Sequence, residues 1–228
     1  MGTETRLPNE TGREFALRVL KRNIVELVMY PGYIIHEEEI RESIKLSKTP
    51  VREALLELSK LRIIDIIPQT YSRVALIDEK IIEETRYMRR AMEYAVVRDL
   101  CGVIANDQVS KLEQILSLAE YYLTQGNDEM FRAYDKEFHK GLFVAAKKEL
   151  IYSVLENYSI HSDRLRSLIG PERIQTPEEI LEEHRGILKA IQDNNSRKAT
   201  DLMEKHLTHF RANFSKAREQ FPQYFAEA

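Results

Sequence analysis

SKTPVREALLELSK, residues 47–60, decides how the first third of this chain is read. Thr49 is a good helix N-cap. Pro50 suits the first helical position because the N–H it lacks has no intrahelical acceptor there, and Glu53 lies near the positive end of the helix dipole. The spacing predicts a helix from Pro50 to about Lys60 that buries Val51, Leu55 and Leu58. Its first turn gathers Lys48, Thr49 and Arg52.

Outward from this helix the pattern is regular. Residues 13–29 place Phe15, Val19, Ile24, Leu27 and Val28 at helical spacing, and Tyr30-Pro31-Gly32 stops that helix. A short helix fits His36 to Ser43 with Ile40 and Ile44 inward, and Lys45 to Lys48 is a turn. In residues 62–77 two β-branched runs flank PQTYS, which reads as a hairpin. Three helices and a hairpin are the order of a winged helix-turn-helix domain, expected over residues 1–77.

From residue 78 the texture changes. Only amphipathic helices follow, at roughly 79–103, 107–125, 128–146, 148–169, 177–193 and 196–220. Breaks fall at Gly102/Asn106, Gly126-Asn127, Gly170-Pro171 and Asn194-Asn195. The expected fold is mainly α, with residues 78–228 forming an antiparallel bundle of about six helices.

Composition narrows the function classes. The 228 residues are 43% hydrophobic, which is enough to bury a core. Cys101 is the single cysteine, so no internal disulfide forms, which fits a reducing compartment. With neither a signal-like start nor a membrane-length apolar run, the chain is expected to be cytoplasmic and to have no membrane partner. The net charge is -3, yet residues 1–77 hold 12 Lys+Arg against 11 Asp+Glu. Affinity for nucleic acid must therefore come from a local basic face.

A recognition helix offers its N-terminal side chains to base edges while neighbouring residues grip phosphate. Arg52 can bond guanine O6 and N7 bidentately. Lys45, Lys48, Lys60 and Arg73 are candidate phosphate contacts, Arg73 from the wing. On spacing alone these residues read equally as a solvated helix face. Y-P-G, then SKTPVREALLEL, then a hairpin resembles the DNA-binding domain of GntR-family transcription regulators over residues 13–77. The resemblance implies that Arg52 reads a base and that Ser47, Lys48, Thr49 and Pro50 lie at the groove. Two departures stand out. The family's glycine before the first wing strand is replaced by the run Arg62-Ile63-Ile64, and its glycine at the wing tip by Thr70-Tyr71-Ser72.

In the helical part, Asp135 and His139 are spaced i,i+4 and leave one helix face one turn apart. His184 and His206 lie on two later helices that a bundle can bring across from them. One oxygen and three nitrogens suit Zn, Ni, Co or Mn. A histidine taken alone is more often polar surface or a satisfied core residue. D-x-x-F-H, E-H-R-x-I-L-x-A-I and M-x-x-H-L resemble the FadR-type C-terminal (FCD) domain of GntR regulators, in its metal-binding branch, over about residues 79–220. That resemblance implies a divalent metal on Asp135, His139, His184 and His206 beside a cavity for a small carboxylate effector. Arg89 and Glu93 match the family's R-x-x-L-E segment, and Arg164, Arg166 and His161 are further effector candidates. His209, one turn from His206, has a weaker claim.

The reading that follows is a ligand-responsive regulator, of a kind that mostly represses, binding a palindromic operator as a homodimer. Two alternatives remain at this point. One is a DNA-binding protein with a purely structural metal and no effector response. The other is a helical-bundle metalloenzyme, although the chain has no Glu-x-x-His, H-E-x-x-H or glycine-rich phosphate loop.

Overall fold

The computed structural model describes residues 4–170, 175–208 and 210–227. The chain divides into two compact units: Met1–Glu83 with Asn157–Pro171 and Phe214–Ala228, and Glu84–Glu156 with Glu172–Asn213.

The first unit begins with α1 (Gly12–Val25), fixed by a capping box in which Thr11 and Glu14 exchange side-chain and backbone bonds. This helix ends a turn earlier than Pro31 requires. Leu27 turns left-handed (φ 60°), so Val28, expected on the inner face, is 49% exposed and Met29 takes the core place. A two-residue strand, β1 (Ile34–Ile35), precedes α2 (Glu37–Ile44), and then comes α3 (Lys48–Lys60). The start of α3 corrects the expected cap: Ser47 is the N-cap residue, and Thr49 and Pro50 stand inside the first turn, which holds no acidic residue. Proline is tolerated there because the first-turn N–H groups have no partner and the carbonyl four residues back, on Leu46, is outside the helix.

The hairpin forms as read, with β2 (Ile64–Ile67) and β3 (Tyr71–Val74) in antiparallel register. β3 also pairs with β1, giving a three-stranded sheet of order β1-β3-β2 that the sequence did not announce. Phe15, Val19, Leu20 and Ile24 of α1, Val51, Leu55 and Leu58 of α3, Ile63, and Ile64 and Val74 of the sheet form one core. Of the two places where a glycine is expected, the first is left-handed; at the second the left-handed residue is the one just before Thr70-Tyr71-Ser72. Arg62 (φ 57°) holds the left-handed turn before β2, and Gln69 (φ 60°) follows Pro68 in a turn closed by Thr70 N–H on the Ile67 carbonyl, the type II pattern.

The second unit is a bundle. It contains most of α4 (Glu79–Leu100), then α5 (Asn106–Thr124), α6 (Asp128–Ala145), the start of α7 (Glu149–Ile169), α8 (Pro177–Gln192) and α9 (Ser196–Thr208); α10 (Phe210–Gln220) follows. The helices end at the expected breaks, while Pro171 and His209 lie outside the described residues. α5 packs on α6 and α8, and α8 on α9, around Phe131, Phe138, Leu142, Leu181, Ile187 and Met203. Gly141 lets α6 approach α5 closely, since a Cβ there would stand 2.7 Å from Leu112 Cδ2. Among the described residues, no helix is long and apolar enough to cross a membrane.

Left-handed backbone costs a side-chain-bearing residue about 1–2 kcal/mol, and glycine's extra entropy in the unfolded chain returns about half of that. Arg62→Gly is therefore expected to leave stability unchanged or raise it by up to about 1 kcal/mol, and Arg62→Val to lower it by about 1 kcal/mol or more. Urea unfolding at fixed m-value measures both.

Candidate functional site

In the second unit, caps set the helices that carry the four candidate donors. The Asn127 side chain accepts from Met130 N–H at the start of α6 and so fixes the phase of Asp135 and His139. Thr176, Pro177 and Glu179 form a capping box with proline in the first turn, setting α8 and His184. Asn195 Oδ1 accepts from Lys198 N–H at the start of α9, which carries His206.

The structure brings the four together: one ligand atom from each of Asp135, His139, His184 and His206 lies within 4.8 Å of all the others. His184 Nε2 is 3.2 Å from His206 Nε2, which is 3.3 Å from His139 Nε2, and Asp135 Oδ1 is 3.7 Å from His184 Nε2. His139 and His184 are buried, and the His184 ring stacks on Phe138 at 4.3 Å between centroids.

Two carboxylates orient the rings. Glu93 Oε2 stands 2.7 Å from His139 Nδ1, and Glu183 Oε2 stands 2.9 Å from His206 Nδ1. With Nδ1 turned to its carboxylate, each ring directs Nε2 toward the centre. Arg89 Nε in turn donates to Glu93 Oε1 at 2.6 Å. Burial works to raise the Glu93 pKa, but the charge of Arg89 and the adjacent His139 outweigh it and hold the carboxyl well below the usual range. Burial pushes His184 well down, helped by His206 and His139, and it lowers His206 despite Glu183. Both effects favour the unprotonated form of these two rings.

The donor set fits a divalent cation. With Nδ1 protonated on both rings, the Nε2 atoms of His139 and His206 face each other as lone pairs that cannot bond one another. A metal–nitrogen bond of about 2.0–2.1 Å places neighbouring donors about 3.3 Å apart in a tetrahedron and about 3 Å apart in an octahedron. The observed spacings of 3.2 and 3.3 Å match that range. Glu183 gives no local signal in the sequence because its target is on another helix, and Glu93 reads there only as part of an effector segment.

In the first unit, Lys45, Ser47, Lys48, Thr49 and Arg52 are all exposed, around the α2–α3 turn and the first turns of α3. Pro50 is half-buried, and a Cβ on Gly12 would meet it at 3.4 Å, so it packs as well as lines the turn. Arg73 is not free on the wing: its Nε donates to Asp65 Oδ2 across the strands at 3.0 Å. Ile66, Ile67 and Tyr71 make the hairpin end apolar.

These two sites belong to one chain, and the comparisons agree with both. The FCD domain model matches residues 84–209, and the model of bacterial regulatory proteins of the gntR family matches residues 13–74. The chain belongs to the GntR family and carries an FCD domain. This GntR-family chain is 28% identical to the HTH-type transcriptional repressor RspR of Escherichia coli over the whole of both chains. It is 27% identical to the gluconate operon transcriptional repressor of Bacillus licheniformis, over 82% of this chain and 77% of that one. Its fold resembles E. coli McbR/YncC with a TM-score of 0.74 at 16% identity, covering 92% of this chain and 99% of that one. A GntR regulator from Rhodococcus gives 0.67 at 20% identity, covering 94% and 99%. The relatives are transcription regulators and not enzymes.

The remaining effector candidates separate. Arg89 joins the histidine cluster through Glu93. His161 and Arg164 belong to the first unit, where His161 Nε2 reaches the Leu61 carbonyl and Arg164 Nη1 the Ala75 carbonyl, both at 2.8 Å. Arg166 is paired with Asp163 at 4.0 Å.

Protein exposed to Zn, Ni, Co or Mn and then dialysed is expected to retain the ion, and His139→Ala/His184→Ala to lose it; equal metal by elemental analysis would refute the site. A second prediction concerns acid. Burial lowers His161 to about 4, first by desolvation and then by Arg164. Its stabilising neutral form is intact above the unfolded value near 6.5, and stability falls as pH drops from there toward 4, by up to about 3 kcal/mol. His161→Gln should flatten that part of the stability–pH curve.

Proposed function

We propose that this chain is a ligand-responsive repressor of the FadR type, binding a palindromic operator as a homodimer and modulated by a small organic acid at a metal-containing pocket. The observation that carries the reading is the convergence of three imidazole lone pairs and a carboxylate in one chain with an exposed, cationic recognition-helix start. Full-length similarity to RspR and the partial likeness to the gluconate operon repressor, both named as repressors, support it.

On this reading Arg52 contacts a base edge, while Ser47, Thr49, Lys45 and Lys48 secure the backbone. Arg73 contributes from the wing at the expense of its pairing with Asp65, a half-exposed ion pair of small strength. In the bundle, Asp135, His139, His184 and His206 would hold Zn, Ni, Co or Mn. The metal would act as a Lewis-acid anchor for the acid's carboxylate, and Arg89, steadied by Glu93, would grip the same group. The acid changes DNA affinity only if it binds the DNA-competent and incompetent arrangements with different strength.

Burial of His139 and His184 at 2% exposure favours one second reading, a metal that only stabilises the bundle. Chelation would then lower the melting temperature while no acid altered operator affinity. For the leading reading, Arg52→Ala should weaken specific binding by about 1–3 kcal/mol and relax one operator position, and Lys48→Ala should reduce the salt slope by about one. An operator preference unchanged in Arg52→Ala refutes base reading.

A further inference from the structure

The hairpin formed by β2 and β3 has little of its own to hold it. A two-stranded hairpin is marginal in water, and β1 adds two residues of pairing. Its orientation therefore rests on its base, where two carbonyls are left over. Leu61 is the C-cap residue of α3, at a helix end whose carbonyls lack intrahelical partners. Ala75 N–H closes the hairpin on the Ile63 carbonyl, which leaves the Ala75 carbonyl pointing out of the ladder.

Both carbonyls are taken by α7. His161 reaches Leu61 and Arg164 reaches Ala75, each at 2.8 Å, from side chains one helical turn apart. Ile160 beside them is 4% exposed and belongs to the same core as α1, α3 and the sheet. Arg164 is the largest fully buried side chain in the molecule, with 0% exposure among the described residues. Among the described residues its Nε and Nη2 have no hydrogen-bond partner, so it is not there for its own satisfaction. An apolar residue of similar size would fill such a space at lower cost. A guanidinium supplies what an apolar side chain cannot: a donor for Ala75. Arg73 stands on β3 two residues before Ala75 and pairs with Asp65 of β2.

We propose that Arg164, with His161, is a positioning residue for the wing: it fastens the hairpin base to α7 and so sets how Arg73, carried on that hairpin, is presented to DNA. This rests on the DNA-binding reading of α3 and the wing for its functional half only. The structural half is tested without DNA. In full-length Arg164→Met, amide exchange over residues 64–75 should speed up roughly tenfold while α1 and α3 keep their protection, because one buried carbonyl has lost its donor. Arg164→Lys, which keeps a charge and a donor, should recover part of the protection. Unchanged exchange over the hairpin overturns the proposal. Should Arg164→Met lose protection in α1 and α3 as well, His161→Gln gives the same readout at Leu61, and there too an unprotected α3 or an unaltered hairpin overturns it.

The functional half uses a duplex selected by the wild-type protein from a randomised pool. Arg164→Met should weaken its binding roughly tenfold, and by less than about twofold when Arg73→Ala is already present. Equal losses in both backgrounds overturn the route through Arg73. If the wild-type protein selects no duplex, the DNA-binding reading fails, and the exchange result still judges the positioning role on its own.

Discussion

Three imidazole rings inside a helical bundle impose the constraint on which the second unit depends. A buried ring has two nitrogens, each of which needs a partner, and an unpartnered polar atom in a core is costly. Here the outer nitrogens of His139 and His206 are met by Glu93 and Glu183, and those carboxylates hold the rings at one angle. The inner nitrogens then meet at 3.2 and 3.3 Å, a spacing that a divalent cation would satisfy. The bundle's polar interior is therefore coherent with a metal, and Glu93 and Glu183, which hold the rings, matter as much to that geometry as the four donors do.

The same logic explains which parts of the molecule were legible in sequence. Helices in the bundle follow from periodicity and from caps such as Thr176-Pro177 and Asn127, all local signals. The four donors were legible because the bundle gathers them from patterned helices. Glu183 was not, since a carboxylate adjacent to His184 in sequence gives no sign that it serves His206. β1 was illegible for a related reason: two isoleucines have no periodicity, and only β3 makes them a strand. The start of α3 was misplaced because Thr49-Pro50 is a sound local cap signal, which lost to the turn that Lys45 makes in the left-handed region (φ 54°).

The departures at the wing are resolved by backbone geometry. Arg62, where the family's glycine before the first wing strand is missing, and Gln69, just before the Thr70-Tyr71-Ser72 tip, adopt the left-handed conformation themselves. The fold keeps the turn and accepts strain of about a kilocalorie per site, which the hairpin's own ladder cannot comfortably supply. That makes outside support for the wing base more than incidental. The first unit is assembled from three separate stretches of chain, and Ile77 pairs with the C-terminal segment through its bonds to Tyr224 and Ala226.

A DNA-binding unit built this way differs from an autonomous winged helix. Residues 1–77 contain the recognition helix and the whole hairpin, yet the donors for Leu61 and Ala75 come from residues 161 and 164. α7 runs from Glu149 to Ile169, and its residues up to Glu156 group with the unit that holds the histidine cluster. Any rearrangement of the 160–164 stretch of α7 within the first unit must keep the Leu61 and Ala75 carbonyls partnered or leave them without these donors, which is the same demand for satisfied polar groups that the histidine rings make in the second.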